Sequence, residues 1–225
     1  MPELPGLGDF DPRYFVAVIV TFVIAITVHE FMHAWTAWML GDDTARQLGR
    51  VSLNPAVHFD PVGALMFVLI AIGLPGIAWG RPVPVNDFRL RPAGRLGRQG
   101  SMALVSFAGP LSNVVLGAIA AGILRFSSSA GMHLGEAEQF LWIFMSVNFL
   151  LAAFNMVPLP PLDGSRILVA LLPPFWRPVL APLERYGIPI LILLLIFGRG
   201  IGSGIIAGIT DPVRELLFKV FAGQP

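Results

Sequence analysis

The 225-residue chain contains no cysteine, which excludes disulfides and any metal site built on thiolates. Charge is scarce too. Asp, Glu, Lys and Arg together make up 13% of the residues, and the formal net charge is +1. With so little positive charge there is no basic stripe to neutralise phosphates, and a nucleic-acid partner is excluded. Lysine is almost missing: apart from Lys219, every basic side chain is arginine. A basic leader is also missing. Glu3, Asp9 and Asp11 stand where the n-region of a signal peptide would be, so the first apolar run is expected to be a permanent span.

What the chain has in excess is apolar surface. Hydrophobic residues make up 55% of it, and the mean hydropathy is +0.74. That is more than one soluble core can use and suits an all-α polytopic membrane protein. Apolar segments fall at Tyr14–Leu40, Pro61–Trp79, Ser101–Phe126, Gln139–Val157 and Tyr186–Ile209, with a shorter amphipathic stretch at Pro212–Phe221. The linkers are too short for an inserted soluble domain, so residues 1–225 read as a single membrane-embedded domain. Its core is 14–172, followed by C-terminal helices over 186–221. No internal repeat points to a transporter built from inverted halves.

Inside the first apolar run stands His29-Glu30-Phe31-Met32-His33. Ionisable side chains in lipid are costly and mark function by default. The two histidines are one helical turn apart and point to one side, where they can share a metal ion, with the glutamate beside them as a base. Two imidazoles leave a catalytic zinc one protein ligand short. The other histidines are poor candidates. His58 lies in an Asn-Pro turn and is expected to hydrogen-bond to loop backbone, while His133 sits in a Ser/Gly-rich loop and is expected to be solvated. A carboxylate is the natural third ligand. Asp163 follows an apolar helix and the proline-broken run Pro158-Leu159-Pro160-Pro161-Leu162, and Gly164 after it permits a tight turn. The competing reading is that Asp163 caps the helix that follows.

Orientation follows from arginine. Residues 80–98 carry Arg81, Arg89, Arg91, Arg95 and Arg98 against the single acid Asp87, and the loop after the first helix adds Arg46 and Arg50. By the positive-inside rule both loops are cytoplasmic and the acidic N-terminal tail is outside. Pro61–Trp79 then has both flanks on one side. Interrupted by Gly73, Pro75 and Gly76, it is expected to enter and leave as a re-entrant hairpin. His29, two-thirds of the way down an inward-running helix, and Asp163, past the end of a helix running the same way, fall at one depth near the cytoplasmic face. Residues Arg81-Pro82-Val83-Pro84-Val85-Asn86 read either as a short edge strand able to pair with an unwound substrate, or as a plain connector.

In series these motifs resemble the site-2 proteases, intramembrane zinc metalloproteases. After His29–His33 come Ser52-Leu53-Asn54-Pro55-Ala56-Val57-His58-Phe59-Asp60-Pro61-Val62-Gly63, then Gly80–Asn86, Phe107-Ala108-Gly109-Pro110-Leu111-Ser112-Asn113, and Asn155 to Asp163. The resemblance covers most of the chain in the family's order. No helix precedes the metal-motif helix, and no tethered PDZ or CBS domain is visible, so the expected form is a minimal one. The resemblance implies one Zn²⁺ per chain held by His29, His33 and Asp163, with Glu30 as general base. It also implies Asn155 near the reacting carbonyl, the alternative being a buried amide that bridges helices. Asn113 and Gly109 are read as helix-packing residues. The implied substrate is a single-pass membrane protein or a leftover signal peptide, and self-association stays open. The implied location is the plasma membrane as a multi-pass protein, with the active site toward the cytoplasm. The rival classes are a metal transporter, which has no need of Glu30 beside a ligand, and a catalytically silent membrane scaffold, which would have lost the base or a ligand.

Overall fold

The structure, a computed structural model, describes residues 11–72, 78–196 and 203–223. The helices are α1 (Pro12–Met39), two four-residue turns α2 (Thr44–Gln47) and α3 (Pro55–His58), α4 (Pro61–Ala71), α5 (Gly97–Ser129), α6 (Glu136–Asn155), α7 (Asp163–Leu171), α8 (Arg177–Ile196) and α9 (Ser203–Leu217). Three of them, α1, α5 and α6, are long and apolar enough to cross a membrane. The protein is an all-α membrane protein.

Sequence explains the starts. Asp11, Asn54 and Asp60 each precede a proline, and each side chain accepts a bond from a backbone N–H of the helix it opens. That pairing fills the first orphan donors while proline occupies a position that needs none.

Helix α5 is the centre of the bundle and packs against α1, α6 and α7. Its buried face is small: Gly100, Ser101, Ala108, Gly109, Ser112, Gly117, Ala120 and Ala121. Where lipid is as apolar as leucine, close packing of small residues brings backbones together. Phe149 of α6 fills the hollow over Gly117, where a Cβ would lie 3.1 Å from its ring tip. Helices α1 and α6 run in parallel. Their N-terminal ends are joined by the Arg13–Glu136 ion pair, so their C-terminal ends reach the same side of the bundle, as expected.

The re-entrant reading of 61–79 agrees with the ends of that segment. A Cβ on Gly63, at the start of α4, would lie 3.0 Å from the carbonyl carbon of Trp79, and Arg81 N–H donates to His58 C=O at 2.8 Å. The chain therefore leaves where it entered. Helix α4, with 11 residues, is about 16 Å long, roughly half a hydrocarbon core. The expected breakers Gly73, Pro75 and Gly76 lie outside the described residues, as does the N-terminal tail.

Two expectations change. No strand forms among the described residues, and 80–86 has no regular secondary structure. An edge strand is defined by the ladder it makes, and among the described residues the segment has no strand to lie against. The apolar run Tyr186–Ile209 differs from the helices in its bounds, and its residues 197–202 lie outside the described ones. Helix α8 begins nine residues earlier, at Arg177, and α9 carries the chain on through Asp211 and Pro212. Hydropathy sees composition, whereas helix ends are set by backbone bonding, and the polar first turns of α8 escaped it.

Candidate metal centre

Where α1, α5 and the start of α7 meet, three side chains converge. His29 Nε2 and His33 Nε2 are 3.0 Å apart, and Asp163 Oδ2 is 3.2 Å from each. Both histidines are buried, and Asp163 is half-buried. Asp163 sits in the first turn of α7 yet makes no capping bond, so the capping alternative falls and the carboxylate faces the imidazoles instead. The carbonyls of Met156 and Val157 crowd Gly164, and a Cβ there would come within 2.6 Å of the latter. Only glycine lets the loop fold back this tightly and turn Asp163 inward.

The proton positions on the imidazoles are fixed by what surrounds them. His33 Nδ1 lies 2.7 Å from the Val105 carbonyl, which can only accept, so Nδ1 carries the proton. His29 Nδ1 lies 2.7 Å from Asn113 Oδ1. That amide cannot be reversed, because Asn113 Nδ2 donates to the carbonyl of Ala25 at 3.2 Å and to Asn148 Oδ1 at 3.0 Å. Asn148 in turn is oriented by donating to the Phe144 carbonyl. With Nδ1 committed in this way, each imidazole in its neutral form turns its Nε2 lone pair toward the carboxylate oxygen. The cluster is then held together either by protons or by a cation at its centre, and two neutral imidazoles with a carboxylate are a usual ligand set for such a cation. Ligands about 2.0–2.1 Å from a tetrahedral ion stand roughly 3.3 Å apart, close to the separations found here. The donor set fits a metal.

The floor of this site is Gly109 on α5. A Cβ there would lie 2.5 Å from His33 Cε1 and 2.7 Å from His29 Cε1, so any larger residue would push both rings away. Sequence reading took Asn113 and Gly109 as packing residues and overlooked Asn148. The available signal was an amide within an apolar span, which lipid tolerates only with a partner.

The acceptors open onto a cleft of about 380 Å³. Glu30, 8% exposed, lines it next to the two histidines. Asn155 lies on its wall and donates one N–H to Leu151 C=O of its own helix at 3.0 Å, which leaves its second N–H and Oδ1 uncommitted within α6. Residues Gly80, Pro82, Val83 and Val85 line the same cleft. His58 plays the structural part expected, donating from Nε2 to the Ser52 carbonyl at 2.8 Å. Burial holds its imidazole below the ordinary value, and the bond to Ser52 opposes this.

The two arginine-bearing loops lie together at the site's end of α1. Arg91 N–H donates to Leu40 C=O at 2.7 Å, Arg89 pairs with Asp43 at 2.6 Å, and Asn86 N–H donates to Asp42 at 2.6 Å.

The fold and the site thus define a membrane-embedded helical protein with two histidines and a carboxylate arranged as a metal centre. Comparison with known proteins narrows this. The model for peptidase family M50 matches residues 125–198, which include Asn155 and Asp163. The chain is 36% identical over 210 residues to the Bacillus subtilis protein named "Putative zinc metalloprotease YwhC", covering 91% of this chain and 90% of that one. It is 34% identical over 183 residues to "Putative zinc metalloprotease Rip2" of Mycolicibacterium smegmatis, covering 81% and 67%. An archaeal relative, "Putative zinc metalloprotease MJ0611" of Methanocaldococcus jannaschii, is 32% identical over 163 residues. No solved structure matches. The chain belongs to peptidase family M50, the site-2 protease family.

Proposed function

We propose that this chain is an intramembrane zinc endopeptidase that hydrolyses peptide bonds within or next to the transmembrane helix of another protein. The observation that carries the reading is the convergence of three lone-pair donors on one point of a cleft that also holds a free carboxylate, Glu30. His29, His33 and Asp163 would hold one Zn²⁺. When bound, zinc supplies Lewis acidity that lowers the pKa of water and polarises a carbonyl.

The chain's own residues supply the rest. Glu30 takes a proton from the attacking water and returns it to the departing amine nitrogen. Asn155 offers its second N–H to the substrate carbonyl oxygen as negative charge develops there, an interaction worth a few kcal/mol in a site shielded from water. Asn113 and the Val105 carbonyl keep both imidazoles in the tautomer that presents Nε2. A substrate helix hides its own amides in internal hydrogen bonds, so cleavage requires local unwinding. The residue 80–86 backbone along the cleft supports the unwound stretch. Single-pass membrane proteins and leftover signal peptides are the substrates this geometry suits. The arginine loops beside the site favour an active site toward the cytoplasm in a multi-pass plasma-membrane protein.

Purified protein in liposomes separates this reading from its rivals. A zinc-dependent endopeptidase cuts a co-reconstituted single-pass substrate and takes up no zinc into sealed vesicles. Zinc uptake without cleavage would make it a transporter, and neither activity would make it a scaffold.

A further inference from the structure

One charged group near the cleft has no part in the chemistry above. Arg50, in the turn after α2, is 5% exposed, yet among the described residues no carboxylate pairs with it. Its Nη2 donates to the Arg81 carbonyl and, at 3.4 Å, to the Pro82 carbonyl, while its Nε has no partner. The Glu30 charge acts on it from beyond ion-pair distance, and the groups it touches are neutral carbonyls, so burying the guanidinium here is costly and ties it to what it holds.

What it holds is one end of the cleft wall. Arg81 N–H is fastened to His58 C=O at 2.8 Å, and five residues further on Asn86 N–H is fastened to Asp42 Oδ2 at 2.6 Å. Asp42 is fully buried. Residues Pro82 to Val85 are therefore strung between two anchors along the metal cleft. Prolines 82 and 84 carry no N–H, so only Val83 and Val85 can donate from this stretch. Its position relative to the site is tight at the Arg50 end. A Cβ on Gly80 would lie 3.0 Å from Ile26, 3.3 Å from the His58 carbonyl and 3.5 Å from Glu30 Cγ.

We infer that Arg50 is a positioning residue for peptide cleavage: by pinning the carbonyls of Arg81 and Pro82 it sets the height of the Pro82–Val85 backbone above Glu30, and with it the register in which an unwound substrate segment is laid across the metal centre. The inference rests on the proteolytic reading. It assigns Arg50 no contact with substrate or metal. Both carbonyls are reached from the single nitrogen Nη2 of a rigid planar guanidinium, whereas an ammonium sits on a flexible four-carbon stem with rotatable donors and fixes the same pair less firmly. Displacing a substrate by about 1 Å can cost on the order of 100-fold in rate.

The test compares Arg50→Lys and Arg50→Met with the wild type in proteoliposomes, with a single-pass model substrate. Zinc content should stay at one per chain in both variants. The KM for the substrate should rise about tenfold or more in Arg50→Met, and less in Arg50→Lys, which rescues in part. A merely structural loss would lower the active fraction and leave KM alone. Because the chain has no native cysteine, a spin label on Val83→Cys gives a readout that needs no activity. Its mobility should increase in Arg50→Met and fall back toward wild type in Arg50→Lys. An unchanged KM, unchanged label mobility, or loss of zinc in both variants overturns the inference. If the wild type cleaves nothing, the proteolytic reading fails by itself. The label then still reports whether Arg50 holds the segment.

Discussion

Asn113 holds His29 from 84 residues away, accepting the Nδ1 proton at 2.7 Å while its own amide is locked by Ala25 and Asn148. The bond decides which imidazole nitrogen is free. Asn113→Ala should lower zinc affinity about 10- to 100-fold, the usual cost of losing such a partner. Asn148→Ala, one bond further out, should cost less. Competition with a calibrated chelator measures both, and equal affinity in Asn113→Ala and wild type would remove the residue from the centre's support.

Gly109 leaves no room for a methyl group. Gly109→Ala should abolish stoichiometric zinc binding, because neither imidazole ring can back away without losing its Nδ1 partner. Gly122→Ala on the same helix, where a Cβ meets nothing within 4 Å, is the matched control and should bind normally. Metal analysis of the two purified variants decides it, and zinc retained in Gly109→Ala would mean the rings have another resting place.

Glu30 and Asp163 should separate chemistry from binding. Glu30→Gln should keep one zinc and slow cleavage about 10²- to 10⁴-fold, because an amide cannot accept the proton. Asp163→Ala should lose the metal and the activity together. If Asp163→Ala bound zinc with unchanged affinity, the third ligand would be another group.

The loops at 41–60 and 80–98 should lie on one side of the membrane. Their packing on each other already ties them together in space, and their arginines favour the cytoplasm. Ser52→Cys and Gly94→Cys, treated with an impermeant maleimide in intact cells, should both stay unlabelled. Labelling of both from outside would invert the orientation, and labelling of Gly94→Cys alone would mean that 61–79 spans.

Local pattern made much of this legible. The one-turn spacing of His29 and His33 needs only helical periodicity, and charge placement along the chain gave the parallel course of α1 and α6. Asp163 stood out because prolines and Gly164 leave it nowhere else to point. The partners of the imidazoles were hidden for a different reason. Asn113 is polar in an apolar helix, but which of several neighbours it meets depends on the packing of α5 against both α1 and α6. Arg50 was counted as a topological charge, and its burial arises only when residues 80–82 return to it. The edge strand failed on the same ground, since a strand is a relation between two segments and the sequence shows one.

The site also joins distant parts of the chain. Helices α1 and α6 are fastened at their starting ends by Arg13 and Glu136, and the metal residues lie at the opposite end, with about 130 residues between His33 and Asp163. An ion held there closes that long loop as a covalent staple would, and whatever binds the folded chain alone deepens its stability in proportion to the logarithm of its concentration. Chelation should therefore do more than silence the centre. It should lower the melting temperature and loosen α7 from the bundle, so that the same ion governs the protein's lifetime in the membrane.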